Sequence, residues 1–396
     1  MGYLRVKKEN INPESLVKLL SCCPFNAISY EDGEVKVSSA CRVCKLCVKK
    51  GGGIMEFCED DEKKAVDKSA WRGITVYADI QDGEIHKVTF ELIGKAKELA
   101  KVTGHPVYVL VIGNKLGDAV SELSRYGADK IFVYDDERFK DFRILSYADA
   151  FTDFINKIKP SSILVGATNV GRALAPRVAA RFRTGLTADC TVLEMKENTD
   201  LVQIRPAFGG NIMAQIITTF TRPQFCTVRY KIFDAPARLP EPYGEVVPMT
   251  VDKFAGDTTE IIKTITKKKE RDISDADVIV AVGRGVKSKA DLDMCYALAD
   301  VLGAEMACTR PLIENGFFDA RRQIGLSGRT VKPKLIITLG VSGSVQFAAG
   351  MKSSDLIIAV NNDKSASIFD IAHIGIIGDL YEIVPALTEK IREARK

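Results

Sequence analysis

Histidine is scarce in this chain, and long hydrophobic runs are missing from it. Only three histidines occur among the 396 residues, and His86, His105 and His373 are too scattered in the sequence to suggest a histidine-based metal site. No apolar run reaches the roughly 20 residues that a membrane-spanning helix needs. The N-terminal segment also lacks the apolar core of a secretory signal. The sequence therefore predicts a cytoplasmic protein without a membrane span.

An excess of one charge is also lacking. The formal net charge is +4, from 56 basic and 52 acidic residues, and so small an imbalance gives no reason to expect nucleic acid binding. Hydrophobic residues make up 46% of the chain and charged residues 27%, as in globular proteins, and the length predicts two or three domains. Because no export signal is seen, the ten cysteines are predicted to be thiols and not disulfides.

Thiols are concentrated near the N-terminus. Cys41, Cys44 and Cys47 form a C-x-x-C-x-x-C run, which is typical of half a bacterial ferredoxin, but the Cys-Pro pair expected four residues further on is missing. Such a pair occurs upstream, at Cys23 and Pro24. In two-cluster ferredoxins the fourth cysteine of each run ligates the other cluster. The upstream cysteine and the run together supply four thiolates, enough for one 4Fe-4S cluster, and this predicts electron transfer.

Two alternatives remain for this cysteine set. Thiolates also bind zinc, but zinc sites usually space their cysteines in separated pairs, so the overlapping triple spacing favours iron–sulfur. Cys22 could replace Cys23 as the fourth ligand; the proline after Cys23 favours Cys23, because it fixes a backbone that turns away from the cluster. Cys58 is predicted to be a buried thiol and not a ligand.

Three segments with different patterns follow one another along the chain. Residues 1–65 are predicted to form a small ferredoxin-like α+β domain, with a hairpin whose turn is Glu31–Glu34. Residues 70–255 alternate short β-branched runs with amphipathic stretches, which predicts a parallel α/β sheet. The runs between 188 and 229 lack intervening helices and predict an antiparallel extension of that sheet.

A connector and a second α/β segment complete the chain. Residues 231–257 hold four prolines and are predicted to be an extended connector. Residues 272–396 again alternate strands and helices, so we expect a second parallel α/β domain there, Rossmann-like in its folding pattern.

Small, polar or cationic residues follow the strands of this last domain. They occupy the segments Val282–Gly285, Thr309–Pro311, Gln323–Gly328, Leu339–Gln346 and Ala359–Asp363. In open α/β sheets, ligands bind at the carboxyl ends of the strands, and a Gly-x-Gly turn before a helix suits a phosphate. One such turn carries little information, but several on one edge predict a site of dinucleotide size.

These residues resemble a known family. Residues 277–394 are similar to the FAD-binding domain of the electron transfer flavoprotein α subunit, through Val-Gly-Arg-Gly, Cys-Thr-Arg, Gln-Ile-Gly-Leu-Ser-Gly, Gly-Val-Ser-Gly-Ser-Val-Gln and Ile-Ala-Val-Asn. Residues 71–255 resemble the N-terminal domain of that subunit, notably at 183–190 and 205–211. The segment with the cysteine run, residues 1–65, resembles a unit found in the α subunits of some anaerobes. The flavoproteins of these anaerobes work with acyl-CoA reductases or lactate dehydrogenases, and the caffeyl-CoA reductase complex is one example.

The resemblance implies roles for individual residues in an FAD site. Arg284 matches an arginine near the FAD diphosphate, and Thr309 and Arg310 match a pair beside the isoalloxazine ring, where a guanidinium would stabilise an anionic flavin and raise its potential. Ser327 matches a hydroxyl residue that bonds flavin N5. The other implied contacts are Gln323, Ile324, Gly325, Leu326, Ser342, Gly343, Ser344, Val345, Gln346, Phe347, Asn361, Asp379 and Leu380.

Phe347 departs from the family pattern. The family usually has a histidine there, aimed at flavin O2, and phenylalanine cannot donate that hydrogen bond. The flavin would then depend more on Arg310 and on backbone amides. Ser342–Gln346 match the loop along the ribityl chain and phosphates, whereas Asn361, Asp379 and Leu380 match contacts to the adenosine half.

The resemblance also implies partners and a function. It implies an electron-transfer subunit without substrate chemistry of its own, in a heterodimer with a β subunit that holds a second nucleotide or flavin. The complex would be electron-bifurcating: it would couple NADH oxidation to reduction of ferredoxin and of an enoyl-CoA or caffeyl-CoA type of partner, or of a lactate/pyruvate dehydrogenase. The alternatives are a non-bifurcating carrier with a structural cluster, and a nucleotide-binding redox sensor.

Overall fold

The computed structural model describes residues 3–31, 33–38, 40–58, 66–81, 83–207, 212–265 and 272–395. The chain falls into two compact units, Met1–Val66 and Asp67–Lys396. Within the described ranges, no helix combines the length and apolarity needed to cross a membrane.

Among its described residues, the first unit contains two antiparallel strand pairs and two α-helices. Its elements are β1 (Tyr3–Val6), α1 (Pro13–Cys22), β2 (Ile28–Glu31), β3 (Glu34–Val37), α2 (Leu46–Lys50) and β4 (Met55–Cys58). β1 pairs with β4, and β2 pairs with β3 in the predicted hairpin, although Asp32 of its turn lies outside the described residues. The mixture of helices and strands agrees with the predicted α+β class, and the likeness to a ferredoxin stays a prediction.

The first part of the second unit is built on a large parallel sheet. Its elements are β5 (Ile74–Ala78), β6 (Ile80–Gln81), β7 (Glu84–Ile85), α3 (Val88–Thr103), β8 (Val107–Gly113), α4 (Gly117–Leu123), β9 (Lys130–Asp135), α5 (Ile144–Ile158), β10 (Ser162–Gly166), α6 (Asn169–Arg181), β11 (Leu186–Cys190), β12 (Val192–Met195), β13 (Leu201–Ala207), β14 (Ile212–Ile217), β15 (Gln224–Val228) and β16 (Glu245–Pro248). The sheet order is β11-β15-β10-β5-β8-β9-β16, and every neighbouring pair is parallel. The predicted parallel α/β class is confirmed.

The predicted antiparallel extension is wrong in its placement. β12, β13 and β14 form a separate antiparallel sheet, whereas β11 and β15 join the large sheet as parallel strands. All five residues of β15 are buried, as expected of a strand that is covered on both faces in a parallel sheet. Sequence order alone misled the prediction, because no helix separates β15 from the antiparallel strands before it.

The proline-rich connector is extended as predicted, but it is not free of the sheet. The Leu239 and Tyr243 N–H groups donate to the Arg125 and Ser124 carbonyls, both at 2.7 Å. β16 then pairs with β9 at the edge of the sheet. The connector therefore lies along the first part of the unit before the chain enters the second part.

The second part of the unit carries another parallel sheet. Its elements are β17 (Val278–Val282), α7 (Leu292–Leu302), β18 (Glu305–Cys308), α8 (Arg310–Glu314), β19 (Leu335–Leu339), α9 (Val345–Ala348), β20 (Leu356–Asn361), β21 (Ile374–Ile377) and α10 (Leu380–Ala394). The strands follow the order β18-β17-β19-β20-β21, all parallel. The order reverses between β17 and β19, and ligands bind at such a switch point in doubly wound folds.

A buried glutamate holds the chain where it leaves β15. Glu91, in the first turn of α3, accepts the Lys231 N–H at 3.0 Å. Burial raises the pKa of Glu91 from its ordinary value of 4.5 to about 7, although the hydrogen bond and the charge of Lys231 oppose the shift. Because the folded chain holds this proton more tightly than the unfolded chain, stability is lost as the pH rises from about 4.5 to 7.

Substituting Glu91→Gln is expected to remove this loss, because glutamine still accepts the Lys231 N–H and never ionises. At pH 8 the variant should be more stable to urea than the unsubstituted chain by about 1–3 kcal/mol, and at pH 5 the two should differ little. Glu98→Gln, on an exposed side chain of the same helix, is the matched control. Equal pH dependence in the Glu91 variant and the unsubstituted chain would contradict this account.

Candidate functional site

Two glycine turns meet at the switch point of the second sheet. The Gly283 N–H donates to the Leu339 carbonyl at 2.9 Å, and the Gly285 N–H donates to the Gly340 carbonyl at 3.0 Å. A Cβ on Gly285 would lie 2.6 Å from the Gly340 Cα, and Gly340 has a φ of +61°. Glycine is therefore required for the two turns to approach this closely.

A cleft of about 650 Å³ opens beside these turns. Its walls come from the carboxyl ends of the strands and from the start of α10. Eight of the residues predicted for the FAD site line it: Arg284, Thr309, Ser342, Ser344, Phe347, Asn361, Asp379 and Leu380. The structure thus brings together positions that are almost 100 residues apart in the sequence.

The charged side chains of the cleft differ in whether they already have a hydrogen-bond partner in the protein. Asp379 caps α10 by accepting the Tyr381 N–H at 2.9 Å. Asp363 accepts the Ser365 hydroxyl at 2.6 Å, and this hydrogen bond lowers the pKa of Asp363. Arg284 is exposed, and no hydrogen bond or ion pair to it is seen in the part of the chain that the structure describes. Its charge is therefore available for an anionic ligand such as a diphosphate.

Asn361 shapes the cleft through both ends of its amide. Its Nδ2 donates to the Val341 carbonyl at 2.8 Å, and its Oδ1 accepts the Asp363 N–H at 2.9 Å. The side chain is 7% exposed. Asn361 therefore ties the turn after β19 to the turn after β20.

Lys287 and Tyr381 also line the cleft and were not predicted from the sequence. The Lys287 N–H donates to the Tyr381 hydroxyl at 3.1 Å, and that hydroxyl donates to Asp291 at 2.7 Å. Tyr381 thereby fastens the chain after β17 to α10. The Gly-Arg-Gly turn pointed near Lys287, and the predicted contacts Asp379 and Leu380 directly precede Tyr381, but neither Lys287 nor Tyr381 was itself predicted.

Arg310 and Thr309 are placed differently, although they are neighbours. Thr309 lies in the cleft at the start of α8. The Arg310 Nε donates to Glu314 Oε1 at 2.9 Å, and both side chains are exposed. The structure therefore does not bring the Arg310 guanidinium into the cleft.

The predicted loop from Gln323 to Ser327 lies outside the lining of the cleft. It is tied to β18, because the Ile324 N–H donates to the Cys308 carbonyl at 3.0 Å, and to α9, because the Leu326 N–H donates to the Gln346 carbonyl at 2.9 Å. Gln323 donates to the Ser327 hydroxyl at 2.8 Å. The other predicted residues that do not line the cleft, besides Arg310, are Gly343, Val345 and Gln346.

Phe347 lines the cleft and also belongs to the core. Its side chain is 4% exposed and packs with Ile324 and Met351 among the buried residues of this part. A phenylalanine at this position therefore contributes packing, and it offers no hydrogen bond to a ligand.

The predicted thiolate ligands all lie in the first unit. Cys23 follows the end of α1, and Cys47 is buried at the start of α2. The Ala27 N–H donates to Cys23 Sγ and the Val43 N–H donates to Cys41 Sγ, both at 3.4 Å. Backbone donors of this kind suit sulfurs that carry negative charge, as the ligands of an iron–sulfur cluster do.

The loop that carries the cysteine run is strained. Val43 has a φ of +50° and Lys45 a φ of +62°, and a β-branched residue in this region is a rare outlier. Such strain is concentrated at functional sites, where the surrounding structure enforces it.

Cys22 lies close to the same thiols. Its Sγ donates to the Leu19 carbonyl at 3.1 Å. Burial raises the pKa of Cys22, and the neighbouring Cys23 raises it further; burial and then Cys22 also raise the pKa of Cys47. Cys22 Sγ donates a hydrogen bond to a backbone carbonyl, whereas Cys23 Sγ accepts one from a backbone N–H. Because Cys22 lies beside the other thiols, it remains a candidate ligand.

None of the ten cysteines forms a disulfide, and Cys58, which was predicted to be buried, is only half-buried. Across the described ranges, no three His, Cys, Asp or Glu side chains converge as a metal-binding group. The donor set is nevertheless suitable for iron, because thiolate sulfur is the ligand of biological iron–sulfur clusters.

Comparison with known proteins adds to this geometry. Residues 74–254 match the electron transfer flavoprotein domain, and residues 272–352 match the electron transfer flavoprotein FAD-binding domain. The second match covers the glycine turns and just over half of the residues that line the cleft. Residues 208–211 of the predicted N-terminal motif lie outside the described residues.

Similar curated proteins extend along most of the chain. The lactate dehydrogenase (NAD(+),ferredoxin) subunit LctC of Acetobacterium woodii is 61% identical over 392 residues, which is 99% of this chain and 94% of that protein. The electron transfer flavoprotein α subunit of Megasphaera elsdenii is 41% identical, over 83% of this chain and 99% of that protein. The α subunit of Clostridium acetobutylicum is 40% identical over the same shares. The chain belongs to the electron transfer flavoprotein α-subunit family and carries the FAD-binding domain of that family.

Proposed function

We propose that this chain is the α subunit of an electron-bifurcating flavoprotein complex that holds FAD in the second part of the Asp67–Lys396 unit and one 4Fe-4S cluster in the first unit. The cleft at the switch point between β17 and β19 carries this proposal. When bound, FAD exchanges one or two electrons and the cluster exchanges one. We further propose three domains, 1–65, 70–255 and 272–396, in a cytoplasmic protein.

The arrangement of the cleft supports the FAD assignment. Glycine turns without side chains let phosphates approach the backbone, and Arg284 supplies a cation that no acid of the described residues neutralises. Thr309, Ser342 and Ser344 add hydroxyl groups to the same walls. Asn361 and Asp379 would contact the adenosine half while they hold the turns in place.

The small hydrophobic core of the first unit supports the assignment of the cluster to this unit. Its core among the described residues comprises Leu19, Ile28, Cys47, Ile54 and Met55. A unit of this size with so small a core usually needs a disulfide or a metal to stay folded, and it has no disulfide. Cys23, Cys41, Cys44 and Cys47 would be the ligands, with Cys22 as the alternative to Cys23.

The partners are proposed from the family and from LctC. Members of this family imply an Etf β subunit, so we propose a heterodimer. A relative that matches 99% of this chain, its cysteine unit included, is named as a subunit of a lactate dehydrogenase that uses NAD(+) and ferredoxin. A lactate dehydrogenase flavoprotein is therefore the favoured partner over one of the acyl-CoA type.

The test of bifurcation is ferredoxin reduction in the assembled complex. With NADH, ferredoxin and the dehydrogenase with its oxidised substrate, pyruvate, we expect ferredoxin to be reduced, and we expect no reduction when pyruvate is left out. Reduction that does not depend on the acceptor, or no reduction in the complete mixture, would favour the non-bifurcating carrier. A chain that binds nucleotide but takes up no flavin would favour the redox sensor.

A further inference from the structure

Positive charge is concentrated in the cysteine segment of the first unit. The segment from Cys41 to Lys50 contains no acid and four cations, and these cations are Arg42, Lys45, Lys49 and Lys50. All four are exposed, and none of them forms an ion pair within the described ranges. The other described cations of the unit each lie 2.6–3.4 Å from a glutamate oxygen: Arg5, Lys7, Lys8, Lys18 and Lys36.

Two of these four cations contact aromatic rings and not carboxylates. The guanidinium carbon of Arg42 lies 5.1 Å from the centroid of the Phe25 ring, and Lys45 Nζ lies 3.6 Å from the centroid of the Phe57 ring. Attraction to the face of a ring orients a cation, but it adds no opposite charge to cancel the charge of that cation. The positive field of Arg42 and Lys45 therefore extends into the solvent.

The unpaired cations lie beside both chain segments that carry the predicted thiolates. The Lys49 N–H donates to the Lys45 carbonyl at 3.2 Å, so these two residues are one helical turn apart, and side chains at this spacing lie on the same face. That turn contains Cys47. Arg42 directly follows Cys41, and it contacts Phe25, which follows Cys23 by two residues.

Apolar side chains are exposed next to these cations. Phe25 is 38% exposed and Val43 is 39% exposed. Cys44 is exposed as well, so one predicted ligand of the cluster reaches the surface here. An apolar centre with a polar or charged rim is the usual composition of a protein–protein interface. We call this surface the cysteine-loop face, and it consists of Phe25, Arg42, Val43, Cys44, Lys45 and Lys49.

We propose that the cysteine-loop face is the docking surface for an acidic electron-carrier protein. An acidic partner complements the unpaired cations, since opposite charges speed the encounter of two proteins and like charges oppose it. An electron carrier fits because it would contact Cys44, and because the interfaces of such carriers are small, as this face is. The inference rests on the proposed cluster in this unit, and it gives the place on this chain at which ferredoxin binds.

The test is the rate at which the holo-heterodimer associates with a two-cluster bacterial ferredoxin of net negative charge. Lys45→Gln combined with Lys49→Gln should lower the association rate constant about tenfold in about 0.01 M salt, where the Debye length is about 30 Å. In about 1 M salt, where this length is about 3 Å, the variant and the unsubstituted protein should associate equally fast. Lys8→Gln combined with Lys18→Gln is the matched control, because it removes the same charge from exposed, ion-paired lysines of the same unit. Its rate constant should change by less than about twofold.

An unchanged association rate in the Lys45 and Lys49 variant would overturn the inference, and so would an equal loss in the control. A variant that no longer assembles with the β subunit would overturn it as well, because the face would then be covered inside the heterodimer. If the double variant loses its iron, Lys49→Gln alone carries the test against Lys18→Gln: its rate constant should fall about threefold, and an unchanged value overturns the inference. Failure of the proposed function looks different, because the unsubstituted heterodimer would then contain no iron or sulfide, whatever its affinity for ferredoxin.

Discussion

Replacing Cys41 with alanine is expected to remove the iron and inorganic sulfide from the purified chain, a loss of about four irons per chain. Cys41 is the first thiol of the C-x-x-C-x-x-C run, and its sulfur accepts the Val43 N–H at 3.4 Å in the strained loop. Alanine would leave one iron of the cluster without a protein ligand. Iron and sulfide analysis under anaerobic conditions measures the effect.

Cys58→Ala is the matched control for this experiment. Cys58 lies in the same unit, at the end of β4, and is half-buried like Cys41, but it is outside the run. We expect the control to keep its iron. If Cys41→Ala also keeps a full complement of iron, the ligand assignment is wrong.

The same assay identifies the fourth ligand. Cys23→Ala should lose the cluster, whereas Cys22→Ala should keep it, because Cys23 Sγ accepts a backbone N–H and Cys22 Sγ donates to a helix carbonyl. The opposite result would assign the fourth position to Cys22, whose place among the thiols also allows it.

Replacing Gly343 with alanine is expected to weaken FAD binding by about a hundredfold or more. Gly343 has a φ of +84°, and a Cβ there would lie 2.1 Å from the backbone nitrogen of Ile368. The Ile368 N–H donates to the Ser342 carbonyl at 3.1 Å, so the clash would displace a hydrogen-bonded wall of the cleft. The left-handed backbone costs about 1–2 kcal/mol and the broken hydrogen bond about 1–3 kcal/mol. Their sum of about 2–5 kcal/mol corresponds to about 30-fold to several thousandfold in affinity, a range that contains the expected hundredfold loss.

Gly316→Ala is the control, because it places alanine in a left-handed backbone conformation without creating a clash. Gly316 has a φ of +72°, and nothing lies within 4 Å of its added Cβ. This control should lose about 1–2 kcal/mol of stability and bind FAD normally. Titration of the flavin-free heterodimer with FAD measures both variants, and equal affinities would contradict the placement of the flavin in this cleft.

The parallel strands of the FAD-binding part were predictable because each is a short apolar run. β17 and β19 are buried along most of their length, as expected in a parallel sheet, and a glycine-rich turn follows each of them. The cleft could be predicted for the same reason, since parallel strand ends meet at one edge. The fold class and much of the cleft therefore follow from local sequence patterns.

Long-range contacts could not be predicted in this way. β15 resembles the strands before it in sequence, and only its burial within the large sheet separates it from them. The hydrogen bond from the Arg229 guanidinium to the Leu326 carbonyl joins residues that are 97 positions apart. Its acceptor is a backbone carbonyl, which leaves no mark in the sequence. The Arg310 side chain was expected beside the ligand because of the resemblance to the family. Its i,i+4 contact with Glu314 depends on the short helix α8, which was not predicted from the sequence.

The most direct test of the account is the content of iron, sulfide and flavin in the chain purified anaerobically with its β partner. The account predicts about four irons and about four sulfides per α chain, together with FAD that is lost when Gly343 is replaced by alanine. A heterodimer that holds this FAD but no iron or sulfide would contradict the cluster and the one-electron role of the first unit. A heterodimer without FAD in this subunit would contradict the central claim itself.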